Sequence, residues 1–182
     1  MLFRPVFALA FVASALANPL FKRQDSNTNE AIDAVVSHLS VRAHDSIPTI
    51  ITMQANQTAS DSTIGPQFDD LIDAFNEATS GLQGISPSSG SNTTDPTNDD
   101  LSVIFGGVLS LTASGLSGLT TSTVTSLTDM FGELDPAVAA AVEAFNTTAP
   151  NSADFVHILL LDASQFFRDE GMTATLAALG FN

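Results

Sequence analysis

The sequence predicts an all-α fold: a single bundle of about five or six helices with one long polar loop. Three observations carry that expectation. Apolar residues recur at three- and four-residue spacing in five or six separate segments. The strict alternation of a half-buried strand is nearly absent. The joints are short and rich in capping residues, apart from one Ser/Gly/Pro/Asn/Thr/Asp stretch at about 83–100 that reads as a flexible loop. Amphipathic helices joined this way bury their stripes against one another.

Before the first helix, residues 1–17 have the form of a signal peptide. Arg4 precedes an apolar run from Val6 to Val12, and small residues end at Ala15-Leu16-Ala17. Lys22-Arg23 follows as a dibasic processing site, so 18–23 reads as a pro-peptide and 24–182 as a single helical domain. The expected location is secreted, extracellular or in the cell wall.

Each helical segment has its own start and stop signals. Ile32, Val35, Val36, Leu39 and Ala43 define the first, from Glu30 to about Ala43. Pro48 disfavours helical geometry at Ile47, which predicts a kink or break before Ile50, Ile51 and Met53 extend the segment to about Gln57. Gly65-Pro66 suits a helix start, with Phe68, Leu71, Ile72, Phe75 and Leu82 along one face. Asp99 and Asp100 open a third helix through Leu101, Ile104, Phe105, Val108 and Leu111, loosened by several glycines. Val124, Leu127, Phe131 and Leu134 keep a helical period through a Ser/Thr run. Asp135-Pro136 reads as a further cap-plus-proline start, leading into Val138, Val142 and Phe145. A last long helix is expected from Ala153 to about Arg168, with Gly171 as its stop and a short turn at Thr173–Leu179.

Charge narrows the partners. All 20 acidic residues lie downstream of Arg23, where only Arg42 and Arg168 oppose them, a formal charge of −18 for residues 24–182. Such a chain repels phosphate backbones and anionic headgroups, which argues against nucleic acid as a partner. Cysteine, tyrosine and tryptophan are all absent, so core burial must hold the fold without disulfides. No apolar run beyond the leader approaches the roughly 20 residues of a membrane span.

Catalytic chemistry finds no foothold. Asp69, Asp70, Asp73 and Glu77 line a helix face, but calcium wants a wrapped shell of oxygens rather than a row. His38, His44 and His157 fit no H-E-x-x-H spacing, and Gly115-Leu116-Ser117-Gly118 lacks the spacing of a nucleophile elbow. The expectation is a non-enzyme with no metal and no cofactor. Three N-x-[ST] sequons, at Asn56, Asn92 and Asn146, are expected glycan acceptors in a secreted chain. The feature pointing to a binding role is apolar excess. Phe155, Val156, Ile158, Leu159, Leu160 and Leu161, followed by Phe166 and Phe167, are too many for a single stripe. Phe155, Leu159, Phe166 and Phe167 are the candidate hydrophobic-binding residues.

With its pre-pro start ending Phe21-Lys22-Arg23, its lack of cysteine and its Ala/Ser/Thr/Leu-rich helices over about 28–147, the chain resembles fungal small secreted proteins. Within that class it resembles the hydrophobic surface-binding protein A and cell-wall galactomannoprotein family. The resemblance implies adsorption to hydrophobic solids or residence in the cell wall, without catalysis. The expected partner is therefore a hydrophobic surface, a lipid or a cell-wall component. Two alternatives use the same features: an effector-like or signalling protein docking on another protein, and a small lipid carrier with a Phe-lined cavity.

Overall fold

Ile32, Val36, Leu39, Ala43, Ile47 and Ile50 repeat every three or four residues, and all are buried along one side of a 27-residue helix, α1 (Asn29–Ala55). The computed structural model describes residues 27–181; the signal-peptide and dibasic sites at Ala17, Lys22 and Arg23 lie outside them. Six more helices follow: α2 (Asp61–Gln83), α3 (Asn98–Leu116), α4 (Leu127–Thr148), α5 (Pro150–Leu159), α6 (Ser164–Asp169) and α7 (Thr173–Ala178). No strand occurs among the described residues, and the fold is an all-α bundle.

The helices close into a ring. α1 packs on α2 and α3, α2 on α4, and α5 bridges α3 and α4, while α7 lies along α4 with α6 beside it. α1 and α2 are antiparallel, as the Arg42–Glu77 ion pair (2.9 Å) and the meeting of Val35 with Gly81 require. α1 and α3 run parallel, Asn29 lying against Asn98 and Ile47 against Gly115. A methyl group at Gly115 would overlap the Ile47 side chain, so this glycine sets how closely the two helices approach. Phenylalanine fills the centre. Phe105 of α3 stacks on Phe145 of α4 with centroids 4.3 Å apart, and Phe68 meets Phe131 edge-on at 5.4 Å.

The polar stretch expected to be loose is a loop, at 84–97, but it is fastened. Ser88 is buried beneath it. Its hydroxyl donates to Asn29 Oδ1 (2.7 Å) and accepts from the amides of Thr28 (3.2 Å) and Gly90 (3.0 Å). Its own amide donates to the Thr148 carbonyl at 2.8 Å. Asn29, itself buried, donates to the Pro96 carbonyl (3.0 Å) and to Asn98 Oδ1 (3.2 Å), which also accepts from Ser91 N (2.9 Å). Composition read as flexibility because Ser and Asn favour turns; here the same side chains satisfy one another inside a closed network. Gly90, at φ +77°, makes the tight reversal that the network needs.

Two carboxylates tie the remaining joints. Asp61 accepts from Thr125 Oγ1 (2.6 Å), Ser126 N (2.8 Å) and Ser126 Oγ (2.7 Å), joining the start of α2 to that of α4. Asp135, buried in α4, accepts from the amides of Ala174 (2.9 Å) and Thr175 (2.7 Å) and so caps α7.

Several boundaries differ from the sequence expectation, each for a local reason. Of the kink or break expected at Pro48, the break does not occur, and α1 continues to Ala55: the proline is on the exposed face while Ile47 and Ile50 hold both sides in the core. α2 starts at Asp61 rather than at Pro66, because Ser60 and Thr63 form a capping box in which Thr63 Oγ1 accepts from Ser60 N at 2.9 Å. Pro136 opens no new helix; it lies exposed inside α4, and Asp135 caps α7 instead of its own helix. The expected helix from Ala153 to Arg168 is two helices, α5 and α6, separated by a turn at 160–163. There the Ser164 hydroxyl donates to the Leu161 carbonyl at 2.9 Å, a local bond that competes with helix continuation.

Ser88→Ala leaves Asn29 Oδ1 and the amides of Thr28 and Gly90 without their shared partner. It is expected to destabilise the fold by about 1–3 kcal/mol in urea denaturation. The Asp61 carboxyl is held at about 2, below its ordinary 3.8, first by the Thr125 hydroxyl and then by Ser126. Its folded pKa is depressed, so its contribution is complete above about 3.8 and is lost as pH falls towards about 2. Asp61→Asn is therefore expected to lower the thermal midpoint at pH 6 more than at pH 2.5.

Candidate functional site: the outer face of α5

α5 begins with Pro150 at its first position, pre-set for helical geometry. Two buried serines fix where it lies. Ser102 Oγ donates to the Ser152 carbonyl (2.9 Å), and Ser152 Oγ donates to the Asn98 carbonyl (3.0 Å). About two turns further on, Leu159 folds over Gly106, where an added Cβ would stand 3.1 Å from Leu159 Cδ1. α5 thus runs parallel to α3, fixed at its start by hydrogen bonds and near its end by a glycine contact.

That placement decides which apolar residues reach the core. Val156, Leu160, Ala163 and Phe167 are buried, at spacings of four, three and four. The residues between them face outward: Ile158 is 57% exposed, Leu159 40% and Leu161 58%. Phe155 is half-buried, and Val103 on neighbouring α3 is exposed. Asp154 and Asp162, both exposed, bracket the apolar run on either side.

Of the four candidate hydrophobic-binding residues, Leu159 is exposed and Phe155 partly so. Phe166 is half-buried against the core, and Phe167 is fully buried at 0% exposure, so it takes no part in an outer face. Sequence reasoning passed over Ile158 and Leu161. The signal was present in the spacing 156, 160, 163, 167, which puts 158 and 161 on the opposite side.

The other sequence candidates separate. Asn56 is exposed in the cap of α1, and Asn92 is exposed in the 84–97 loop. Asn146 is half-buried in the last turn of α4, where its Nδ2 donates to the Ala178 carbonyl at 3.4 Å. Asp69, Asp70, Asp73 and Glu77 all lie exposed along α2, and Arg42 engages Glu77 and Asp70. Among the described residues no three acidic or histidine side chains are grouped to hold a metal ion. His44 Nδ1 donates to the Ser40 carbonyl within its own helix. His157 donates to the Leu179 carbonyl at 2.6 Å and stacks on Phe181, holding the C-terminal segment. No helix among the described residues is long and apolar enough to cross a membrane.

In comparisons with known proteins, the chain matches no protein family and no curated protein.

Proposed function

We propose that this chain is a secreted, non-enzymatic protein that attaches to hydrophobic surfaces or apolar cell-wall material through the outer face of α5. The observation that carries this reading is the projection of Ile158 and Leu159 from the end of α5, and of Leu161 from the turn that follows, while Val156 and Leu160 between them are packed in the core. Their exposure is not left over from a poorly filled bundle, because Val156, Leu160 and Phe167 supply that packing.

Size favours a surface over a soluble one-to-one partner. Burying three such half-exposed side chains contributes on the order of 1 kcal/mol each. Forming a discrete complex costs an estimated 4–15 kcal/mol in lost motional freedom, and stable interfaces bury about 800 Å² per partner. A small apolar tip on a strongly acidic body fits many copies adsorbing side by side on an extended apolar phase, with the charge keeping the free protein soluble. The reading agrees with the resemblance to hydrophobic surface-binding proteins and asks for no cofactor. Secretion and glycan at Asn56 and Asn92 belong to the same proposal.

Ile158→Asp/Leu161→Asp changes only exposed positions and is expected to leave the helical circular dichroism spectrum intact. Adsorption of the purified protein to a wax or air–water interface is expected to fall at least several-fold. Adsorption equal to that of the unchanged protein overturns the assignment of this face.

A further inference from the structure

The apolar tip at the end of α5 is bracketed by charge of a single sign. Asp154 stands one helical turn before Ile158, and Asp162 directly follows Leu161; both aspartates are exposed. Neither is neutralised by a neighbour. Both ion pairs among the described residues belong to Arg42, on α1. The other arginine among them, Arg168, stands beside Asp169 at the far end of α6.

The tip also lacks groups that would read a polar ligand. Between Asp154 and Asp162 the only side chain with hydrogen-bonding nitrogen or oxygen is that of His157. Its Nδ1 donates to the Leu179 carbonyl at 2.6 Å, and its ring stacks on Phe181. On α3, against which α5 lies, Val103 and Gly107 are exposed and add no polar side chain.

We propose that this face takes an uncharged hydrocarbon surface and rejects an anionic one, with Asp154 and Asp162 setting the choice. The inference rests on the attachment through α5 proposed above and adds the class of surface. A polysaccharide presents hydroxyls, and seating it here strips them of water with no donor or acceptor in return. An anionic surface brings its charges against two carboxylates carried by the same short segment as the contact residues. Uncharged hydrocarbon meets neither obstacle, because the leucine and isoleucine side chains reach it while the carboxylates stay in the water at its edge.

Distance singles out these two of the 20 acids. At physiological ionic strength, exposed charges act over about 8 Å. Asp154 lies about 5 Å along the helix axis from Ile158, and Asp162 is adjacent in the chain to Leu161. Asp69 and Asp73, by contrast, are exposed on α2, which packs on α1 and α4.

Quartz-crystal microbalance adsorption at about 0.15 M salt tests the assignment. Three alkyl monolayers are compared: one wholly methyl-ended, one with about one-fifth of its chains ending in hydroxyl, and one with the same share ending in sulfonate. The two diluted layers present the same methyl area and differ in charge. The protein is expected to adsorb to the methyl layer, and at least about tenfold less to the sulfonate layer than to the hydroxyl layer. Asp154→Asn/Asp162→Gln is expected to shrink that gap at least about threefold, with the helical circular dichroism spectrum unchanged. Asp69→Asn/Asp73→Gln removes the same net charge and is expected to leave the gap as it was. Equal adsorption to the hydroxyl and sulfonate layers, a gap unchanged by Asp154→Asn/Asp162→Gln, or a gap that shrinks equally in both double variants overturns this proposal and leaves attachment through α5 standing. No adsorption to the methyl layer overturns the attachment itself, and this inference with it.

Discussion

Without cysteine, this chain has no covalent cross-link to hold its helix ends in register, and a buried polar knot takes that role. Asn29, Ser88 and Asn98 bring together the starts of α1 and α3 and the middle of the 84–97 loop, while the Ser88 amide adds the end of α4. The two side chains at its centre, Asn29 and Ser88, are buried and would otherwise be left unpaired, so the helices meet in one arrangement or forfeit several hydrogen bonds together. The hydrophobic effect compacts the bundle but is indifferent to direction. The knot supplies the direction.

The position of α5 follows from it. Asn98 contributes its side chain to the knot and its carbonyl to Ser152, so the start of α5 is fastened to the same point that fastens the loop. With that end fixed and Leu159 seated over Gly106, the helix cannot rotate its apolar excess inward. Val156 and Leu160 go to the core, and Ile158, Leu159 and Leu161 remain outside. At the opposite end the carboxylates of Asp61 and Asp135 organise the joints of α2 with α4 and of α4 with α7. Two of the many acids in this chain are thus structural fasteners.

Much of this was legible in the sequence. The helical period of Ile32 to Ile50, of Phe68 to Leu82 and of Leu101 to Leu116 marks buried faces because a 3.6-residue repeat leaves little alternative. Pro66 and Pro136 misled as helix starts, since whether a proline opens a helix or is carried inside one depends on which side faces water, and that is a tertiary property. The loop misled for a related reason. Asn29 is 59 residues from Ser88 and 69 from Asn98, and nothing local reveals that their side chains meet. The candidate face was half legible: the apolar excess at 155–167 was plain and the spacing 156, 160, 163, 167 carried its division into inside and outside, whereas nothing local announced the break at 160–163.

The most direct test of the account is residue-resolved amide hydrogen exchange across the 84–97 loop. The amides of Ser88, Gly90, Ser91 and Asn98 are each bonded within the knot, so they should be protected nearly as strongly as the cores of α1 and α3. Exchange of these four at the rate of an unstructured peptide, while the helices stay protected, would contradict it. The loop would then be a tether rather than a fastener, and the fixed placement of α5 would lose its cause.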